Sequence, residues 1–484
     1  MMTQSNINVS KKYIFVLLIV IVFGDLIFSF FQHLAMPLDG DMAGGIVPAE
    51  DVKPILKDPF GITVFTQNLS YPNPNRFFAH FIFYTYFNYV PKLLQHWCSP
   101  IQSVYLSCAL AKVIIQLGLI TVIGIFVTRS YRIFSYENII AMALLTPLFQ
   151  TNGYRSYMGI IDTSITYTFF YALPTLILML FYLPFYFKIE QKQGFLRFSF
   201  TVFSLAFGII TVFNGPLNIG IIVIVTALYA LKKFQDTTQN KTSIQYIILS
   251  VKNTPLTRII VFAFVCLLSF YAFYLGKFNT IFIGENLSIL DRYLRLPKGV
   301  YFILFQKIGF PLLLLAITIN IVLLHKNKNK QQCHEALALF KWLAWFCLLY
   351  LLMLPLGGYK EYRPYIIRFD TFMPVTITLF FIYVYSTFML IQDKQLRSSN
   401  FYLLLPMLIS LVFFNADKGD FHKNDEEKAA LNYIAMSKEN IVQLKHNCTI
   451  ISWNKINDPQ KSALNGELLL KWGIINKHKL YYQK

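Results

Sequence analysis

Two carboxylates separated by one glycine, Asp39-Gly40-Asp41, follow directly on the first apolar run of the chain. Gly40 has no side chain to constrain the turn, so both acids can face one cavity. A carboxylate placed there can take a proton from a hydroxyl, and two together can hold a divalent cation such as Mg or Mn. An ordinary solvated turn is the plain alternative for a bare Asp-Gly-Asp.

Arginines recur in later segments between apolar runs. Asn152-Gly153-Tyr154-Arg155 leads to Asp162 at the lip of the next run. Asp291, Arg292, Arg295 and Lys298 share a further segment, and Lys307 stands close after it. The densest reads Tyr359-Lys360-Glu361-Tyr362-Arg363-Pro364, then Arg368-Phe369-Asp370. In a helix Arg292 and Arg295, three apart, share a face. Arg363 precedes proline and is therefore extended, which suits a side chain reaching from a loop. A guanidinium fork matches phosphate oxygens bidentately, so these clusters fit a phosphate or diphosphate group. Any one arginine alone reads first as a snorkelling interface residue; several clusters on one face weaken that reading against the phosphate one.

The elements that must hold these residues are membrane helices. Of 484 residues, 56% are hydrophobic and only 14% charged, with mean hydropathy +0.50, against roughly 25% charged in a soluble domain. A spanning helix takes ~20 apolar residues. Runs near 13–32, 101–127, 137–150, 164–187, 198–213, 219–231, 258–275, 301–324, 342–356, 371–391 and 401–414 predict an all-α integral membrane protein of about eleven spans. The net charge of +19 lies in short clusters between these runs, such as Lys11-Lys12, Arg129/Arg132 and Lys326/Lys328/Lys330. That is an orientation signal, not a nucleic-acid surface. It puts the N-terminus in the cytoplasm and segments 33–100, 151–163, 276–300, 357–370 and 415–484 outside. The domains are thus a membrane unit, 1–414, and a small outer cap, 415–484. The cap reads as helical near 425–437 and 461–470 and as a strand near 448–453. Residues 77–97, rich in aromatics, predict an interfacial helix or a short re-entrant one. None of the six cysteines forms a CxxC pair. Asp25 and Lys112 lie at similar depth in their runs, and an ion pair between them is the expectation.

An anchor helix, an acidic first outer loop with Asp39 and Asp41, an aromatic interfacial stretch, many further spans and an outer cap together resemble the GT-C superfamily of membrane glycosyltransferases. The likeness covers the whole chain as architecture, with Asp39-Gly40-Asp41 as its motif. It implies an enzyme of the bacterial inner membrane whose loop 33–100 and cap are periplasmic. It would move a sugar, with inversion, from a polyprenyl-phosphate carrier to a surface-glycan or lipid-linked acceptor. Asp39 or Asp41 would be the base, and a divalent cation, if used, would sit on the same two residues. Arg155, Asp162, Arg292, Arg295, Lys307, Glu361, Arg363, Arg368 and Asp370 would form the substrate and phosphate site. Two other readings stay open: an O-antigen polymerase or ligase, which also uses outer arginines, and a polysaccharide transporter or flippase. The long first outer segment favours the transferase over the first, and the absence of paired halves favours it over the second.

Overall fold

Apolar runs in a bilayer have no water to satisfy their backbone, so each closes its hydrogen bonds internally as a helix. A computed structural model describes residues 3–151, 158–191, 194–237, 249–280, 287–359, 363–393, 395–396 and 399–483. Among the described residues nine helices are long and apolar enough to cross a membrane, so the chain is an all-α, multi-pass membrane protein. Helix α1 (Thr3–Leu34) is followed by three one-turn helices of the first loop, α2 (Met42–Ile46), α3 (Lys53–Lys57) and α4 (Ile62–Thr66). Helix α5 (Phe77–Leu94) then leads into α6 (Pro100–Thr128), whose start is set by Pro100 and a capping box between Ser99 and Gln102.

After the short α7 (Tyr136–Leu145) come span α8 (Ile165–Gln191), α9 (Phe195–Val212), α10 (Asn218–Thr237) and α11 (Leu256–Leu275). The amphipathic α12 (Ile289–Phe305) is followed by α13 (Gly309–Lys326), α14 (Gln331–Met353), α15 (Phe369–Gln392) and α16 (Leu404–Ala416). Spans α6 and α15 are 61% and 72% buried in the protein against 17% for α1, so they form the centre of the bundle and α1 its rim.

Several boundaries differ from the apolar runs. The run 301–324 is two helices, because α12 ends at Phe305 and α13 starts at Gly309. The runs 137–150 and 401–414 make apolar helices too short for the nine: α7 ends in a tight turn over Thr146–Leu148, and the second apolar stretch is Asn400–Ala416. Residues 77–97 form α5, which buries Phe83 and Phe87 and exposes Tyr89 and Leu93, with Trp97 exposed just beyond it. Asp25 and Lys112 do not pair. Lys112 donates to the Thr163 carbonyl at 2.5 Å, the carboxylate acting on Asp25 is Asp417, and α1 meets α6 through a Gln116–Ser29 hydrogen bond. Equal depth does not decide which face of a helix a side chain leaves.

The basic clusters gather at one end of the bundle. There Arg129 bonds the Tyr186 hydroxyl, Arg258 pairs with buried Glu190, and Lys330 pairs with Asp393. The loop, α5 and the cap close the other end. The cap holds α17 (Asp425–Met436), α18 (Ala463–Lys471) and the parallel strands β1 (Ile441–Leu444) and β2 (Leu480–Gln483). Residues 448–453 are a bend instead of a strand. The cap is anchored by Trp472, whose indole donates to the Phe87 carbonyl, and by Lys471, which donates to the Ile46 carbonyl.

Candidate functional site

The two aspartates of the first loop have separate jobs. Asp39 is buried, and its carboxylate accepts from Ser164 Oγ, Thr166 N, Thr166 Oγ1 and Asp41 N at 2.8–3.0 Å. Those four donors fill its acceptor sites and clamp the end of α1 to the start of α8, where Ser164 is also the N-cap. Asp41 is exposed, and its Oδ1 accepts from Trp453 Nε1 of the cap at 3.0 Å. Gly40 is needed for this contact rather than for the turn. A Cβ there would lie 2.6 Å from both the Trp453 ring and its backbone nitrogen.

Asp41 opens onto a cavity of about 2030 Å³ enclosed by the first loop, α8, the 363–371 segment and the cap. Among the described residues seven cations line it against three carboxylates, Asp41, Asp51 and Asp162. Arg363 Nη2 donates to the Tyr171 hydroxyl at 3.0 Å and to Asp370 at 3.3 Å. Arg368 pairs with the same Asp370 oxygen, and its guanidinium lies 4.7 Å over the Tyr167 ring. One buried carboxylate, Asp370, is therefore shared by two arginines at the wall. Arg292 lines the cavity from α12 and bonds the Leu287 and Pro355 carbonyls. Ile366 (φ 68°) and Ile451 (φ 46°) both line this cavity. A left-handed β-branched residue is a costly conformation, and such strain concentrates at functional sites.

At its membrane side the cavity runs into an apolar groove between α10, α11 and α14, with Leu217, Val223, Phe270, Phe273 and Leu356 on its walls. Phe270, Phe273 and Leu356 are about half exposed, so the groove opens sideways between spans.

Of the residues singled out from sequence, Asp41, Asp162, Arg292, Arg363 and Arg368 meet in this one cavity. Asp370 lies beneath the two arginines as their counter-ion. Arg295 does not line the cavity; it donates to Tyr359 Oη and the Pro364 carbonyl, bracing the 363–371 segment from outside. Lys307 is exposed at the α12–α13 break and is not a cavity residue. Arg155 and Glu361 lie outside the described residues. Asp39 spends its carboxylate on four hydrogen bonds while Asp41 faces the cavity, so the two acids are differently engaged; no cluster of three or more His, Cys, Asp or Glu side chains occurs among the described residues.

Three residues of the site carried no sequence signal. Arg76 lines the cavity beside His80, whose imidazole is pushed down to about 3 by burial and by the Arg76 charge. Trp453 comes from 412 residues away to bond Asp41. Glu427, buried in the cap, accepts from Leu38 N, Tyr105 Oη and Ile451 N, so it ties the first loop to the bend that carries Trp453. Burial pushes its carboxyl up to about 7, with the Asp39 charge adding to the rise and those three hydrogen bonds opposing it. Comparison with family models, with curated proteins and with solved structures finds no match to this chain.

Proposed function

We propose that this protein is an inverting glycosyltransferase that moves a sugar from a polyprenyl-phosphate carrier to a glycan or lipid-linked acceptor. The observation that carries the reading is the shared cavity. It puts a carboxylate, Asp41, and two arginines, Arg363 and Arg368, in one chamber that continues into a groove open between spans. An amphipathic donor with an anionic head and a long apolar tail matches both halves. The cavity lies at the end of the bundle opposite the basic clusters, which by the positive-inside rule is the outer face, the periplasm of a bacterial inner membrane.

In this reading Asp41 takes the proton of an acceptor hydroxyl as that oxygen attacks the anomeric carbon. The new C–O bond forms on the face opposite the phosphate, the old C–O bond breaks, and its electron pair leaves on the phosphate oxygen. Arg363 and Arg368 stabilise the negative charge that develops there, a term that is often the largest in catalysis. Asp39 holds the loop in register by its bonds to Ser164 and Thr166. Asp370 pre-sets the two arginines by pairing with both.

The test is alanine at Asp41, Arg363 and Arg368, each scored on surface-glycan profiles and lipid-linked intermediates of the host. Loss of one glycan with accumulation of its lipid-linked precursor, at normal protein levels, is the expected result. An unchanged profile in all three variants would reject the reading.

A further inference from the structure

The cap forms the roof of the cavity, and its chemistry differs from that of the walls. Its lining residues include Trp453, Lys455 and Lys461 and no carboxylate. Both lysines are exposed, and neither forms an ion pair among the described residues. The three acidic residues of the cavity all belong to the membrane unit.

Trp453 is 52% exposed although it is held on three sides. Its ring stacks on Tyr167 (centroids 5.8 Å apart, planes at 28°), its Nε1 is fixed to Asp41, and its backbone presses on Gly40. An indole held in place with half its surface bare is a pre-organised platform. The C–H face of a pyranose is apolar and slightly positive, and an indole face is negative, so the two stack. A sugar laid on this ring is next to the Asp41 carboxylate, because the ring's own N–H already points there.

Resting on the transferase reading, we infer that Trp453, Lys455 and Lys461 form the acceptor subsite and that the acceptor is an acidic glycan, carrying carboxylate or phosphate groups. An anionic acceptor approaching Asp41 meets like charge, and two cap lysines without carboxylate partners offset it. Lysine suits this task, since it is a mobile point charge that tolerates varied anion positions. The fork-shaped arginines belong to the 363–371 wall, where Arg368 covers the Tyr167 ring, and the lysines belong to the cap. The leaving phosphate and the acceptor thus have separate cation sets.

The inference is tested on the full chain in lipid nanodiscs, with binding of trigalacturonate and maltotriose followed by calorimetry and binding of undecaprenyl phosphate measured in parallel. Trigalacturonate is expected to bind at least about tenfold tighter than maltotriose, a difference of about 1.4 kcal/mol. Lys455→Ala with Lys461→Ala removes that preference, and the double Lys→Arg variant restores it. Trp453→Ala weakens both sugars, while Lys438→Ala, on the cap surface away from the cavity, changes nothing. The Arg363→Ala, Arg368→Ala pair loses undecaprenyl phosphate and keeps trigalacturonate.

Equal binding of the two sugars overturns the inference. So does loss of undecaprenyl phosphate on removing the lysines, since they would then serve the donor. If undecaprenyl phosphate binds through the arginines and trigalacturonate does not bind, the subsite is wrong and the transferase reading stands. If neither ligand binds, both fall.

Discussion

The two ends of the bundle use the same residue types to opposite ends. At the end rich in basic clusters Arg258 is matched by Glu190, bonded to the Phe185 carbonyl and the Tyr229 hydroxyl, and packed beside both rings. It does not line the cavity. At the cavity end two arginines divide one carboxylate, and the cap lysines have none. The first arrangement lines no cavity; the second faces an open volume. A buried ion pair is thus no mark of function by itself. The mark is a set of charged groups facing an open volume.

The contrast breaks most sharply at Asp41. Asp41→Asn is expected to cut transfer by about 10²–10⁴-fold, the usual worth of a general base, with thermal unfolding unchanged. The same rate loss from Glu190→Gln, per folded molecule, would erase the distinction between the ends. Glu190→Gln is instead expected to cost about 3–5 kcal/mol of stability by leaving Arg258 buried without its counter-ion, read as a fall in unfolding temperature in detergent.

Glu427 probes how the roof is held. Its carboxyl is raised to about 7 when buried, from 4.5 when free. Between those values the docked cap binds more protons than an undocked one. Docking therefore weakens as pH rises from about 4.5 to about 7 and is level above, by on the order of 3 kcal/mol in all. Hydrogen exchange of residues 438–480 at pH 5 and pH 8 measures this, and Glu427→Gln should abolish the difference. The smallest effect belongs to Lys307→Ala. It lies outside the cavity, so binding should not move and stability should stay within about 0.5 kcal/mol. A strong loss of undecaprenyl phosphate binding in that variant would extend the charged end well beyond its present walls.

Much of the helical frame follows from hydropathy alone, since a long apolar run in lipid has one backbone solution. Composition likewise indicated a membrane protein, and the spacing of basic clusters sorted the helix ends into two sets. Local pattern also picked Asp41, Arg292, Arg363 and Arg368 as chemistry-bearing residues. Local pattern could not say that Asp39 is a clamp and Asp41 the open acid, because the difference lies in donors from Ser164 and Thr166, more than a hundred residues on. Nor could it reveal that Asp370 is a counter-ion, that Asp25 and Lys112 do not pair, or that Trp453 reaches Asp41. Hydropathy is a property of each residue in its run and survives in one dimension. Pairing depends on which faces of distant helices meet, and only packing in three dimensions decides that.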